Sequence, residues 1–342
     1  MAKKNLSILL SVAVSVFLLG ILAVQIDIQD LMQTFANIYY PALLAFMAIA
    51  FTAAALRALR YKLLLRPYHI SVGNILLVTF IRNLFVDLLP ARIGSLFYIY
   101  ILNKRLKYSF EAATSTFVLS FLFDFLTLSP FLIVSIIFVG IGTISISNAT
   151  ILLCFSLIFL AFFALILWKI VPVFSMLFNL YKFLLKTFHL ENKKWALISQ
   201  EKFSLTISCL FQIKKNKIEW PIFLLSLLIR LAKYGSLYSL LFALMHSHGF
   251  LLTGLSFWKT ILGITGAEFT SILPVKGIAG FGTWESAWAL TFQLMDFESR
   301  FAIISGIGIH LITNIFEYSL GICAILILSL PFHKNAASNK NP

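Results

Sequence analysis

Polar and apolar residues fall along this chain in long blocks rather than in the short periods of a soluble fold. Six nearly uninterrupted apolar runs lie at roughly residues 7–25, 41–56, 113–139, 151–171, 221–245 and 301–330. A helix rises 1.5 Å per residue, so about 20 apolar residues cross a hydrocarbon core about 30 Å thick. Each run therefore predicts one membrane-spanning helix. The first follows Lys3 and Lys4, as the apolar part of a signal peptide would, but it has no A-x-A cleavage pattern and reads as a retained anchor.

Two further apolar stretches, about residues 75–102 and 257–295, are interrupted. The first contains LLVTFIRNLFVDLLPARIGSLFYIYIL and the second KTILGITGAEFTSILPVKGIAGFGTWESAWAL. Each stops at Leu-Pro (Leu89-Pro90; Leu273-Pro274), followed by a base (Arg92; Lys276) and a glycine (Gly94; Gly277). Proline removes a backbone donor and glycine frees the dihedral angles. Each stretch therefore predicts a helix–turn–helix hairpin entering part-way. One turns on Pro90 and Gly94, the other on Pro274, Gly277, Gly280 and Gly282. Such broken backbone survives at membrane depth only when buried in protein or lining a wet cavity.

Basic residues then set the topology. Clusters fall at Lys3/Lys4, 57–66, 104–107, 169–217 and 334–340, whereas the connections 27–39, 141–150 and 246–253 contain no Lys or Arg. Positive loops stay cytoplasmic, so both termini are expected on the cytoplasmic side. The arrangement requires each hairpin to return to the side it came from. The chain then reads as a single membrane domain with two halves of opposite orientation, residues 1–140 and 150–330, each span, span, hairpin, span. Inverted repeats with interrupted helices in matching positions point to a transporter whose site lies between the halves. The basic stretch 174–219, interleaved with Leu, Phe and Trp195, suits amphipathic helices on an anionic leaflet.

Composition agrees. Of 342 residues 60% are hydrophobic and 12% charged, with a mean hydropathy of +0.96. Soluble domains carry about 25% charged residues, so a soluble enzyme, a disordered chain and a disulfide scaffold are all excluded. The net charge of +14 sits in loops between apolar runs, which argues for orientation rather than for a nucleic-acid partner. Cys154, Cys209 and Cys323 have no metal-ligand or redox spacing, and no cofactor or metal is called for.

Charges inside apolar runs are costly, about 2.5–3.5 kcal/mol each on insertion scales, and usually mark a pathway or a paired site. Arg230 and Lys233 lie well inside the fifth run, Asp124 near the middle of the third and Glu317 near the middle of the last. His310, Asn314 and Glu317 share one helical face, as do Arg230, Tyr234 and Tyr238. In the hairpins, Asn83 and Asp87 share a face, Arg82 and Arg92 flank the first break, and Glu268 and Glu285 bracket the second. Arg82, Arg92, Arg230, Lys233 and Lys276 form a candidate phosphate grip. Simple buried pairs, Arg230–Glu317 or Lys233–Asp124, would account for some of these charges by packing alone. Asp27/Asp30 and His246/His248 are better read as a helix cap and a solvated loop than as metal ligands.

With these residues in place the chain resembles the membrane region of lysylphosphatidylglycerol synthetases, a broad flippase-like family. The matching segments are RALRYKLLLRP (57–67), NLFVDLLPARIGSLFYIYIL (83–102), Asp124 and LPVKGIAGFGTWE (273–285). The resemblance implies a lipid-translocating role in the cytoplasmic membrane, with Arg92, Asp124, Lys276 and Glu285 as the transferable positions. The lipid would be an anionic or aminoacylated phospholipid or a polyprenyl-linked one. The synthetases add a soluble aminoacyl-transferase domain after the membrane region. This sequence stops a dozen residues after its last apolar run, so it is expected not to be an enzyme. It departs from the family pattern at Ser95 and Tyr98, where an acid and an arginine are expected, and at Ser120-Phe121, where a Glu-Arg pair is expected.

Three readings follow. The first is a lipid flippase whose basic residues bind phosphate while Asp124, Glu268, Glu285 and Glu317 bind a cationic headgroup or carry protons. The second is a non-transporting partner of a cell-envelope enzyme. The third is a polyprenyl-phosphate transferase that would need Asp27 and Asp30 as an outer metal site. A homo-oligomer is open to all three.

Overall fold

The computed structural model describes residues 2–65, 70–143, 146–270 and 277–330. Helix is the only regular structure among these. After α1 (Ala2–Ala23) and α2 (Ile28–Ala36) come α3 (Tyr40–Leu64) and α4 (Val72–Leu88). A 3-10 stretch, Pro90–Leu96, leads into α5 (Phe97–Lys104), α6 (Phe110–Leu126) and α7 (Leu128–Thr143). Then follow α8 (Ile146–Trp168), α9 (Ile170–Thr187), α10 (Lys194–Lys215) and α11 (Glu219–Met245). The second hairpin is α12 (Phe257–Phe269) and α13 (Thr283–Gln293), and the last helix is α14 (Ser299–Ser329).

Six of these segments have the length and hydropathy of a span: Tyr40–Leu64, Phe110–Val139, Thr150–Trp168, Ile170–Thr187, Glu219–His248 and Ser299–Ser329. The chain is a multi-pass, all-helical membrane protein. Five of the expected runs are among the six. The expected first run instead forms a pair with α2, bent by 89°. Helix α9 qualifies although it falls in the basic stretch. It buries only Ile170 and Leu185 and lies on the outside of the bundle. Helix α10 buries Ala196, Thr206, Leu210 and Ile213 against α6. Lys202 pairs with Glu111 at 3.1 Å, and the Ser115 hydroxyl donates to the Thr206 carbonyl at 3.1 Å, so the two helices run parallel.

The centre is the pairing of α3 with α11. At one end Ser239 Oγ donates to the Ala42 carbonyl at 2.9 Å, and at the other Arg60 Nη1 donates to Ser226 Oγ at 2.8 Å. The helices are therefore antiparallel, and the chain leaves them at opposite ends. Helix α4 starts from the far end of α3, and α12 from the far end of α11. Both hairpins return to their own end. Leu65, Ile75, Leu102 and Ala112 cluster together, as do Met245, Leu255, Met295 and Ala302.

Small residues allow the hairpins to close. At Gly94 the returning chain lies so near α4 that a Cβ would overlap the Phe85 carbonyl. Ala279, Gly280 and Gly282 have φ of 51°, 84° and 86°, left-handed values that favour glycine. Gly277 presses on the Phe281 carbonyl. Helix α14 threads between the hairpins through Gly321 against Leu84 and Gly306 against Trp288. Helix α4 touches the Ile278–Gly280 turn, so the two broken segments meet inside the protein.

Candidate functional site

Where they meet lies a cavity of about 230 Å³. Helix α3 supplies Arg57, α4 supplies Arg82 and Asn83, and α6 supplies Asp124. Helix α11 supplies Arg230 and Lys233, α12 supplies Glu268, and α14 supplies His310, Thr313, Asn314 and Glu317. Four cations thus face three carboxylates. Helix geometry explains the selection. Residues 82 and 83 sit on the inner face of α4, and 310, 313, 314 and 317 follow the i, i+3, i+4, i+7 stripe of α14.

Each charge is held by a partner. Arg60, fully buried behind the wall, grips Asp124 with Nη1–Oδ1 at 2.6 Å and Nη2–Oδ2 at 3.3 Å. Arg230 donates to the Asp124 backbone carbonyl, approaches Glu268 at 3.9 Å and stacks over Tyr234 at 5.8 Å. Lys233 pairs with Glu268. Arg57 and Arg82 both donate to Asn83 Oδ1, at 3.1 and 3.2 Å. Since Arg60 offsets Asp124 from outside the cavity, the interior leans positive. Arg57 Nε, Arg82 Nε, Thr313 Oγ1 and Asn314 Nδ2 are buried and have no hydrogen-bond partner among the described residues. An orphaned buried donor costs about 1–3 kcal/mol. A ligand bearing several acceptor oxygens would recover that cost.

A cleft of about 50 Å³ leads sideways from the same charges. It shares Arg82, Asp124, Arg230 and Glu268 with the cavity and continues between Phe121, Phe125 and Phe269. Phe121 and Phe269 are exposed on the outer surface.

The structure brings Arg82, Asn83, Asp124, Arg230, Lys233, Glu268 and Glu317 together. Glu285 is not on the cavity surface. It is fully buried, with Oε2 accepting from the Gly282 amide at 2.8 Å and Oε1 on His310 Nδ1 at 2.6 Å. Its place is to pin the second break to α14. Pro274 and Lys276 lie outside the described residues, as do the side chains of Asp87, Pro90 and Arg92. The buried pairs differ from those the spacing suggested. Arg230 and Lys233 share Glu268, and Asp124 belongs to Arg60. Tyr234 joins the Arg230 cluster, whereas Tyr238 turns away to the carbonyls of Leu252 and Leu255.

Sequence reasoning missed Arg57 and Arg60, which it assigned to a cytoplasmic cluster. A signal was present in AAALRALR, where small residues share their helix face. It also missed Thr313 and Trp284, whose ring stacks on His310 at 4.9 Å. Ser95 and Tyr98, where the resemblance led charges to be expected, are packed inside. The Tyr98 hydroxyl bonds Thr116 at 3.0 Å and its ring stacks on Tyr61. Asp27 caps α2 through the Gln29 amide at 2.9 Å, and Asp30 pairs with Arg300 at 2.5 Å.

Among protein families, the model described as the lysylphosphatidylglycerol synthase TM region matches residues 8–321. No curated protein and no solved structure matches the chain.

Proposed function

Because the chain belongs to the lysylphosphatidylglycerol synthase transmembrane-region family, a membrane-embedded family related to lipid headgroup handling, we propose that it carries a lipid headgroup between the leaflets of the cytoplasmic membrane. The observation that carries this reading is the cavity between two half-length hairpins from opposite ends, with a sideways cleft toward lipid. The phosphate sits against Arg57, Arg82 and Arg230, where guanidinium forks and orphaned donors meet its oxygens. An amino group on the headgroup finds Glu268 and Glu317. Acyl chains stay in the bilayer by way of the Phe121–Phe269 cleft.

The packing supports an inverted repeat. Helix α3 pairs with its counterpart α11, and α4 packs on α14 as α12 packs on α7. The two halves then rock around the cavity, opening it to one leaflet at a time. Both termini lie on the cytoplasmic side, and the protein works as a carrier rather than an enzyme.

The test is reconstitution of the purified protein in liposomes carrying fluorescent phosphatidylglycerol or a cationic aminoacyl analogue. Transfer is read as loss of inner-leaflet protection from an added quencher. The wild type should speed transfer, and Arg82→Ala or Arg230→Ala should slow it at least tenfold. Folded wild-type protein that moves neither lipid would overturn the proposal and leave the non-transporting partner.

A further inference from the structure

On the far side of α6 from the charged cavity is a second, larger space of about 350 Å³. Its walls are Leu119, Phe123 and Leu126 of α6, Leu167 of α8, Ile213 of α10 and Phe223 of α11. Among the described residues, the charged groups on it are Lys214 and Glu219. We propose that this crevice binds one acyl chain of an anionic phospholipid, whose headgroup rests on the lysines at its mouth.

Four helix ends converge there: the end of α8, the start of α9, the end of α10 and the start of α11. At this rim Trp168 and Trp220 are 65% and 74% exposed. Tryptophan with an apolar body and a polar N–H favours the headgroup level of a bilayer. Lys214 lines the rim and Lys169 flanks it at Trp168, with Lys215 and Lys217 next in sequence at the end of α10, against the single acid Glu219. Lys169 stands over the Trp168 ring at 4.4 Å, and Lys214 donates to the Trp168 carbonyl at the end of α8. The rim is therefore a cationic collar at interface depth, and the wall below it is hydrocarbon. An α-helix with side chains is about 10–12 Å across, which makes a linear lipid tail the better fit to a crevice of this size.

This site is separate from the transport cavity and does not rest on its function. Phe123 and Asp124 are neighbours on α6, facing the crevice and the cavity respectively. A bound chain thus fills the back of the helix that holds the Arg60 pair.

The experiment places the full chain in nanodiscs with phosphatidylglycerol carrying a diazirine in one acyl chain, and maps adducts by mass spectrometry after illumination. Adducts should concentrate on Phe123, Leu126, Leu167 and Phe223, several-fold above those on Ile158 and Phe162 of the outer face of α8. Ala164→Trp, which fills the crevice, should lower the crevice adducts at least fivefold and leave the others unchanged. If that variant does not fold, Leu126→Trp serves in its place. Lys169→Glu with Lys214→Glu should abolish the preference for phosphatidylglycerol over phosphatidylcholine. Adducts spread evenly over all outward faces, or unchanged by the filling variants, would overturn the proposal. So would intermolecular cross-links showing a second copy of the chain in the crevice.

Discussion

At the scale of single residues, the interior is organised by which charges share a partner. Arg60 is fully buried with a two-point grip on Asp124 and a third bond to Ser226. Removing one member of such a pair leaves the other charge desolvated and uncompensated. Arg60→Ala should therefore lower unfolding stability by roughly 3–5 kcal/mol, whereas Arg60→Met with Asp124→Leu should recover much of the loss. Thermal unfolding in detergent reads this directly, and an unchanged Arg60→Ala midpoint would show that the pair does not tie α3 to α6. Glu285 makes a sharper case, since it serves two bonds at once. Glu285→Ala should cost about 1.5–3 kcal/mol for each charged bond lost. Glu285→Gln, which keeps an acceptor for the Gly282 amide, should lose less. The intramembrane positions of Asp124, Arg230, Lys233, Glu268 and Glu317 were legible because a charge in an apolar run has few explanations. Their pairing was not, because partners come from helices far apart in the chain.

At the scale of elements, the first hairpin depends on one close approach. A Cβ at Gly94 would overlap the Phe85 carbonyl, and backbone on both sides leaves nothing flexible to give way. Gly94→Ala should destabilise the fold by at least about 1–3 kcal/mol, the usual cost of overpacking. Gly73, at the start of α4, has nothing within 4 Å of its Cβ position. Gly73→Ala should be neutral or stabilise by up to about 1 kcal/mol, the helix-propensity difference. The contrast is read by comparing the two variants' unfolding midpoints and protease resistance. Both hairpins were visible in the sequence because Pro and Gly interrupt otherwise apolar runs. The end of α3 was misplaced, since hydropathy stops a span at its first cluster of charges. In the structure Arg57 and Arg60 turn inward to Asn83 and Asp124, so the helix continues to Leu64. Hydropathy cannot separate an arginine facing a carboxylate from one facing water.

At the scale of the molecule, the antiparallel α3–α11 pair places the two hairpin entrances at opposite ends. A single cysteine at Asn216, in a background lacking the three native cysteines, should react with an impermeant reagent only from the cytoplasmic side. One at Gly249, beyond the far end of α11, should react only from outside. Labelling of both from one side would contradict the antiparallel arrangement.

The sequence alone determined that the chain is an all-helical membrane protein, that two of its segments are broken, and which residues carry charge into the apolar region. These follow from local composition and from the high cost of exposing polar backbone or charge to hydrocarbon. Only the tertiary structure decided that α4 touches the Ile278–Gly280 turn of the second hairpin, that Glu285 braces a turn instead of facing the cavity, and that Arg57 belongs inside. Those depend on which helix faces oppose one another across long separations in the chain, and the pattern along any one helix does not contain that information.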